Sequence, residues 1–331
     1  MPTPPSDAIE WICANLTPSQ TDSTRALYDH MESQSGACLP VIYQPFDGRQ
    51  RSHFVDRGAI LDFALAAPGE RVLDFGPGDG WPSLDLALLG RQVTGVDGSR
   101  RRVEVCRANA SRLGITNAAF VHVPPGQPLP FDDESFDAVV AASSIEQTPD
   151  PRATLAEIHR VLAPGGRLRM YYESLDRYRG GRERELSFGP RTVLYDRHLD
   201  EEYVRHYLLT FDAEKKCFEE ARTELGPRPA YADLTPAILS QLQEALVSAE
   251  TWTTRHPSGR TFAAWLGEIG FAGVAGTHDG NAFAGALFDR LAEADRPGSI
   301  EAVDAMLRPQ VGVVVTMEAP LALSPWICAT R

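Results

Sequence analysis

Short apolar runs alternate with amphipathic stretches through the middle of the chain. The runs are about as long as ordinary strands and lie at 71–75, 92–96, 119–123, 136–141 and 167–173. Between them, apolar residues recur at helical spacing, and these stretches end at Gly or Pro. Buried strands that alternate with helices predict an α/β fold, in which a parallel sheet is covered by helices on both faces.

The alternation stops after residue 173 and resumes near residue 260. In this interval, Thr192–Leu199 and Tyr203–Phe211 predict a β-hairpin, and Pro236–Glu250 has the spacing of a helix. The resumed pattern predicts a helix, a strand, a helix, a strand and a last edge strand, at 260–269, 273–278, 281–294, 311–318 and 322–329. We therefore expect a doubly wound, mostly parallel, seven-stranded sheet.

These patterns divide the chain into four regions. The regions are an N-terminal helical and extended lid, a core, an inserted cap after strand five, and a C-terminal completion of the core sheet, at 1–68, 69–173, 174–257 and 258–331. Within the lid, the Pro-rich residues 1–18 are expected to be partly loose. Helices are predicted at 21–33 and 54–66, with extended chain at 39–46.

Composition narrows the class of protein. The chain has 331 residues, of which 43% are hydrophobic and 23% charged, and its net charge is −13. An acidic surface repels phosphate backbones, which disfavours a nucleic-acid partner. No apolar run approaches the roughly 20 residues of a membrane span. The first residues do not resemble a signal peptide, so a cytoplasmic location is expected.

The cysteines add little to this picture. The five cysteines are scattered without the spacing of a zinc site, so no metal is expected. Reduced thiols in a cytoplasm fit this distribution. The sequence neither requires nor excludes a homodimer.

The segment Val72–Trp81 is the strongest chemical signal, because it joins an apolar strand to a helix through alternate glycines. Such a turn needs glycine, since a side chain would block a ligand from the backbone and since positive φ is required. A dinucleotide fingerprint has a small residue where this chain has Trp81. The acids Asp74 and Asp79 suit a cationic ligand better than a pyrophosphate. From this segment alone, an ordinary Gly-rich connection remains the alternative.

Asp97 closes the second strand of the core, about 20 residues after the glycine turn, where a carboxylate binds both hydroxyls of a ribose. A turn-forming acid is the structural alternative. Together with Gly95–Ser99, the turn resembles motifs of the class I S-adenosylmethionine-dependent methyltransferases. The resemblance covers roughly residues 70–173 and continues through Leu129–Val140, Ser143–Pro151 and Leu155–Leu168.

The resemblance implies a Rossmann-like fold that binds S-adenosyl-L-methionine and releases S-adenosyl-L-homocysteine. It implies methyl transfer by in-line displacement. The aromatic residues of the insert favour a small-molecule acceptor, which we expect to bind under the lid and the cap. The residues that would bind the cofactor are Asp74, Gly76, Pro77, Gly78, Asp79, Trp81, Asp97, Gly98, Gly126, Gln127 and Ser143.

Two positions depart from the family pattern. Pro125 stands where the family often has an aspartate for the adenine amine, so Gln127 or backbone groups near Gly126 are expected to bind the adenine. Gln147 stands where a histidine often follows the acid at Glu146. A proton step that depends on such a histidine is therefore not expected.

Catalytic residues must come from segments beyond the carboxyl ends of the strands. A general base is needed only for an acceptor that carries a proton, which leaves the choice open. The catalytic candidates are Glu146, Tyr172 and His198, and the candidates for acceptor binding are Tyr43, Glu173, Tyr195 and Tyr203.

Other functions remain open from the sequence. A methyltransferase for tRNA or protein would need a basic face, which the net charge of −13 disfavours. A non-methylating enzyme or binding protein that uses S-adenosylmethionine fits the same motifs. A nicotinamide-dependent dehydrogenase is disfavoured by Trp81 and the neighbouring acids.

Overall fold

A computed structural model describes residues 5–20, 46–172, 183–188, 191–200, 202–226, 233–321 and 325–331. Its strands, β1 to β12, are Ser19–Gln20, Arg71–Phe75, Gln92–Asp97, Ala118–His122, Phe136–Ala142, Leu162–Tyr171, Glu183–Phe188, Thr192–His198, Tyr203–Phe211, Leu246–Arg255, Ala272–Gly276 and Trp326–Thr330. Its helices, α1 to α10, are Ala8–Asn15, Arg51–Ala66, Ser83–Leu88, Arg100–Leu113, Pro151–Val161, Lys216–Leu225, Pro236–Leu242, Gly259–Ile269, Gly280–Phe288 and Ile300–Val314.

The chain divides into two compact units. The core unit comprises residues 28–177 and 257–331, and the insert unit comprises 1–27 and 178–256. Each unit has its own sheet and its own apolar core.

The sheet of the core unit has seven strands in the order β11-β12-β6-β5-β2-β3-β4. Strands β2 to β6 pair in parallel, and β12 runs antiparallel to both of its neighbours. The α/β class and the seven-stranded, mostly parallel sheet are thus confirmed. Because strands β2 to β6 are parallel, the carboxyl ends of β2, β3, β4 and β5 lie at one edge of the sheet.

Side chains on the two faces of this sheet enter separate apolar layers. Adjacent residues of β2 show the alternation, since Val72 packs in one cluster with Phe63 and Leu73 packs in the other with Phe262. Both are buried, with exposed fractions of 1% and 0%. Helices therefore cover both faces, as in a doubly wound fold.

The insert unit has a five-stranded sheet in the order β1-β10-β9-β8-β7. Strands β7 to β10 pair antiparallel, which confirms the predicted hairpin of β8 and β9. Helices α1, α6 and α7 contribute side chains to one buried cluster, which also contains Tyr195, Tyr207 and Phe218.

Several predicted elements differ from the structure. The helix predicted over Pro236–Glu250 ends at Leu242, and β10 then pairs with β9 over nine register partners. The strand predicted at 311–318 is wrong, because residues up to Val314 belong to α10. The β-branched residues there favoured a strand, but burial of one helical stripe, Val303, Leu307 and Val311, decided the conformation.

The two ends of the chain also differ from expectation. Residues 8–15 of the Pro-rich start form α1, whose first turn is capped by the Asp7 side chain. The last strand, β12, lies inside the core sheet rather than at its edge. The predicted helix at 21–33 and most of the extended segment at 39–46 lie outside the described residues.

The N-terminal region is not uniform in its packing. Helix α2 packs against α9 and α10 within the core unit.

The four-region division of the chain stays a prediction. Among the described residues, no helix is both long and apolar enough to cross a bilayer.

Candidate functional site

The glycine turn lies at the carboxyl edge of the core sheet. Gly76 and Gly78 have φ values of +78° and +58°, in the left-handed region that glycine tolerates. A Cβ built on Gly76 would lie 2.4 Å from the Cβ of Ser144, which is too close for any side chain. A Cβ on Gly78 would meet nothing within 4 Å. The turn thus packs against the end of β5 at one glycine and leaves open space at the other.

A cavity of about 660 Å³ opens beside this turn, within the core unit. This volume is in the range of small-molecule sites. Of the predicted cofactor residues, those that line it are Gly76, Gly78, Asp79, Asp97, Gly98, Gly126, Gln127 and Ser143. The fold therefore brings residues from four strand ends around one space.

Asp97 is the buried carboxylate of this cavity, with an exposed fraction of 9%. Its Oδ2 accepts from the Gly78 N–H at 3.2 Å, and its Oδ1 accepts from the Ser99 N–H at 2.9 Å. Burial raises the pKa of Asp97, whereas the two backbone donors and the Arg102 guanidinium lower it. Backbone donors hold the carboxylate in place, with lone pairs left to accept from a ligand hydroxyl.

The other two acids of the turn differ in their exposure to the cavity. Asp79 lines it, and burial raises its pKa. Asp74 is fully buried behind the turn, where its Oδ2 accepts from the Ser83 hydroxyl at 2.6 Å. Burial raises the pKa of Asp74 to about 7, although the bonds from Ser83 lower it. Asp74 is not among the lining residues, so its role as a cofactor ligand stays a prediction.

Pro77 and Trp81 also lie outside the cavity lining. The Trp81 ring packs edge-to-face on Phe63, with centroids 5.8 Å apart. Pro77 approaches Gly95 of β3, where a Cβ would lie 3.0 Å from its Cγ. Both side chains support the turn by packing, and direct contact with a cofactor stays a prediction.

The opposite wall of the cavity comes from the segment after β5. Ser143 has a φ of +50°, which is uncommon for a residue with a side chain. The Gln147 Nε2 donates to the Ser143 carbonyl, and the Ser144 hydroxyl donates to the Phe75 carbonyl. The first bond holds the segment after β5 in place, and the second connects it with the end of β2, directly before the glycine turn.

Several lining residues are not predicted from the sequence. Those with polar side chains are Arg102, Ser144, Gln147, Thr148, Asp150, Thr154 and Glu157. Most follow β5 or lie in the first turns of α5, so the rule that ligands bind beyond the strand ends could have suggested them. No local motif singles them out.

The catalytic candidates of the core unit are buried away from this cavity. Glu146 is 2% exposed in the 3₁₀ turn Ile145–Gln147, and Tyr172 is fully buried. The Tyr172 ring packs edge-to-face on Phe262, with centroids 4.9 Å apart. Neither lines the cavity, and their catalytic roles stay predictions.

The remaining candidates lie elsewhere in the chain. In the insert unit, Tyr195 is fully buried and Tyr203, at the start of β9, is 38% exposed. His198 ends β8, and its side chain is not among those described. Tyr43 and Glu173 lie outside the described residues.

The insert unit contains a hydrogen-bonded line of polar side chains that sequence reasoning did not identify. The His206 Nδ1 lies 2.5 Å from the Asp196 Oδ1, and its Nε2 lies 2.6 Å from the Thr254 hydroxyl. The ring stacks on Trp252 with centroids 5.1 Å apart. These residues come from three neighbouring strands, so only the strand register brings them together.

Metal chemistry has no visible basis in the described part of the chain. There, no group of three or more His, Cys, Asp or Glu side chains could hold a metal ion. The acids of the cavity instead fit a ligand with ribose hydroxyls and positive charge, because Asp97 and Asp79 face the space that the glycines leave open.

A Rossmann-like sheet with an acidic glycine turn and a strand-end aspartate defines the class of protein. Residues 73–170 match the family model described as "Methyltransferase domain". This match, together with the fold, identifies a class I S-adenosylmethionine-dependent methyltransferase domain in this part of the chain, and the cofactor of such domains is S-adenosylmethionine. The resemblance seen in the sequence motifs is thereby confirmed.

Two curated relatives each match about 30% of the chain. The demethylmenaquinone methyltransferase of Clavibacter sepedonicus is 42% identical over 100 residues, which is 30% of this chain and 40% of that protein. The O-methyltransferase cnsE of Penicillium expansum is 39% identical over 103 residues, or 31% and 37% of the two chains. The matched part of the chain thus spans about two fifths of these relatives.

A solved structure matches almost the whole chain. The CcbJ methyltransferase of Streptomyces caelestis aligns with 94% of this chain and 98% of its own, with a TM-score of 0.50 and 14% identity. At this identity the match supports the fold alone.

Proposed function

We propose that the protein transfers a methyl group from S-adenosylmethionine to a small organic acceptor and releases S-adenosylhomocysteine. The observation that carries the proposal is Asp97, a buried carboxylate that faces the cavity and is held by the Gly78 amide of the glycine turn. An acid at this position would bind the ribose diol, and the open face of the turn would accept the methionine portion.

The residues of the cavity perform binding and alignment. When bound, S-adenosylmethionine supplies a methyl group on a positively charged sulfur. Asp79 and Asp97 contribute negative charge near this group, and the Ser143 and Gly76 backbone closes the space around it. Holding two reactants in line can lower the barrier by about 7–11 kcal/mol, so positioning is the main contribution asked of the protein.

Support for a small acceptor comes from the names of the relatives. They include a demethylmenaquinone methyltransferase, an O-methyltransferase and a 27-O-demethylrifamycin SV methyltransferase, each matched over about 100 residues. Because relatives with different names each match only about 100 residues of the chain, we assign acceptor choice to residues outside the methyltransferase domain at 73–170, in the N-terminal segment and in 174–257. The net charge of −13 argues against a nucleic-acid substrate.

The residues that would contact the acceptor are proposals from the sequence. Glu146, Tyr172 and His198 remain the catalytic candidates, and Tyr43, Glu173, Tyr195 and Tyr203 remain those for acceptor binding.

A cytoplasmic location and a homodimer are also proposed, to be checked by cell fractionation and by light scattering of the purified chain.

Calorimetry with S-adenosylhomocysteine tests the cofactor assignment. Asp97→Ala should weaken binding by about 1.5–3 kcal/mol, the range for a charged hydrogen-bonding partner. Asp137→Ala is the matched control, because Asp137 lies on β5 away from the cavity lining and accepts from Arg71. Equal affinities of the two variants would contradict the ribose assignment.

A second measurement is needed to test whether the protein transfers the methyl group to an acceptor. The full chain is incubated with S-adenosylmethionine carrying a labelled methyl group and with panels of quinols, phenols and hydroxylated macrocycles. Label in any small acceptor supports the proposal. Label only in tRNA or protein would support the macromolecular alternative, and binding without transfer to any acceptor would support a cofactor-binding protein.

A further inference from the structure

The loop from Val123 to Leu129 forms the wall of the cavity beyond Asp97. If the proposed function is right, the ribose lies at Asp97 and the methionine portion lies at the glycine turn. The purine then lies toward this loop, which follows β4, the neighbour of β3 in the sheet. The inference below rests on that proposed function and concerns how the purine is recognised.

The loop has few free hydrogen-bond donors. Pro124, Pro125 and Pro128 have no N–H. The Gln127 N–H donates to the Pro124 carbonyl at 3.1 Å, and the Leu129 N–H donates to Glu157 at 2.9 Å. Among the described residues, the Gly126 N–H and the Gln127 side-chain amide have no hydrogen-bond partner. These two groups are therefore the donors that this wall offers to a purine.

The wall also lacks a free carboxylate. No residue from 123 to 129 is acidic. Glu157 lines the cavity, but its Oε1 accepts from Arg160, and its Oε2 accepts from Arg160 and the Leu129 N–H. The hydrogen bond from the Arg160 guanidinium lowers the pKa of this carboxyl. Its charge is thus already neutralised by a neighbouring side chain.

A side-chain amide and a carboxylate select purines differently. The edge of adenine carries an amine beside a ring acceptor, and an amide supplies the matching acceptor and donor. The same amide, turned over, matches the carbonyl and ring N–H of a 6-oxo purine. A carboxylate has no donor, so it binds the amine and repels the carbonyl oxygen.

We propose that the protein reads the 6-position edge of the cofactor's purine through the neutral amide of Gln127, while the Gly126 N–H donates to a ring nitrogen that adenine and a 6-oxo purine have in common. The site therefore accepts a 6-oxo purine nearly as well as adenine. The Gln127 side chain is exposed at the cavity and has no bond that would hold one orientation. Both orientations of the amide are accordingly open to it.

Calorimetry on the full chain tests this selectivity with S-adenosylhomocysteine and S-inosylhomocysteine as ligands. The wild-type affinities should differ by less than about 10-fold, since each ligand finds a complete pair of bonds. Gln127→Glu should raise the preference for the adenine ligand by at least about 10-fold, through loss of the inosine ligand. Gln127→Ala should weaken both ligands and leave their ratio near that of the wild type.

Gln92→Glu is the matched control, because Gln92 is exposed at the start of β3 and does not line the cavity. It adds the same charge and should leave the ratio unchanged. A wild-type protein that binds the adenine ligand but rejects the inosine ligand by more than about 100-fold overturns the inference and leaves the proposed function intact. An unchanged ratio in Gln127→Glu also overturns it. Failure of both ligands to bind overturns the proposed function itself.

Discussion

The two units of this protein place their polar groups in different ways. In the core unit, the polar groups of the cavity gather at strand ends, where the Gly78 amide holds Asp97 and the Ser144 hydroxyl donates to the Phe75 carbonyl. In the insert unit, Asp196, His206 and Thr254 meet within strands. A site at strand ends can be inferred from the order of the elements, because parallel strands end together. A cluster within strands depends on pairing register, which local sequence does not reveal.

The largest effect is expected when the apolar core of one unit at a time is damaged. Phe218→Ala in the insert unit and Phe262→Ala in the core unit each remove a buried ring, with exposed fractions of 1% and 0%. Each should cost about 3–5 kcal/mol of unfolding free energy. Hydrogen exchange, read unit by unit, should place the loss in the mutated unit.

The same pair of variants separates folding from cofactor binding. Phe218 lies outside the unit that contains the cavity, so Phe218→Ala should leave S-adenosylhomocysteine affinity unchanged. Phe262→Ala should weaken it, because Phe262 packs in the cluster beneath that cavity's sheet. Equal losses of affinity in both variants would contradict the claim that cofactor binding depends on the core unit and not on the insert unit.

A second test compares two glycines with the same backbone conformation. Gly76 and Gly165 both have a φ of +78°, but only at Gly76 would a Cβ meet another atom closely, at 2.4 Å from Ser144. Gly76→Ala should weaken S-adenosylhomocysteine by about 100-fold or more, because the turn must move. Gly165→Ala should cost only about 1–2 kcal/mol of stability. If calorimetry gave similar S-adenosylhomocysteine affinities for both variants, the close packing of Gly76 against Ser144 would not be needed for cofactor binding.

A third test uses pH. Burial raises the pKa of Asp74 from 3.8 to about 7, so between these values the folded protein holds a proton that the unfolded chain has released. The unfolded state then binds fewer protons, and the free energy of unfolding falls as pH rises through this window, then levels off. Asp74→Asn should remove the contribution of Asp74 to this slope and add about 2 kcal/mol at pH about 8. Urea denaturation at two pH values measures it.

Asp85 provides the matched control for this pH effect. Burial also raises its pKa to about 7, although Arg57 lowers it, and it does not line the cavity. Asp85→Asn should reduce the same slope and leave S-adenosylhomocysteine affinity unchanged. If Asp74→Asn kept the wild-type difference between low and high pH, the protonated state of Asp74 would be refuted.

The smallest effect concerns the polar line in the insert unit. Thr254→Val removes the hydroxyl that lies 2.6 Å from the His206 Nε2 and should cost about 1 kcal/mol of stability. Thr253→Val, on the opposite face of β10, removes only a 3.4 Å contact with Arg205 and should stay within about 0.5 kcal/mol. Thermal unfolding of both variants compares them. An equal loss would show that the line adds nothing beyond ordinary strand pairing.

The sequence predicted the parts of the site that depend on neighbours along the chain. The glycine turn and Asp97 lie about 20 residues apart within one βαβ unit, whose geometry follows a general rule. The elements of the C-terminal third were predicted less well. Val311, Val313 and Val314 have high strand propensity, yet they complete a helix whose stripe Val303, Leu307 and Val311 packs in a buried cluster.

The sequence alone determined the class of fold, the glycine turn and its acidic character, because these depend on local backbone conformation and on side chains close together in the chain. Only the tertiary structure decided what closes the cavity. Ser144 fills the space at Gly76, and Gln147 supports Ser143, although β5 is far from the turn in sequence. Likewise Asp62 and Arg169 form a fully buried pair, 107 residues apart. Such contacts depend on which strands and helices pack together, and that choice is made by burial over the whole unit.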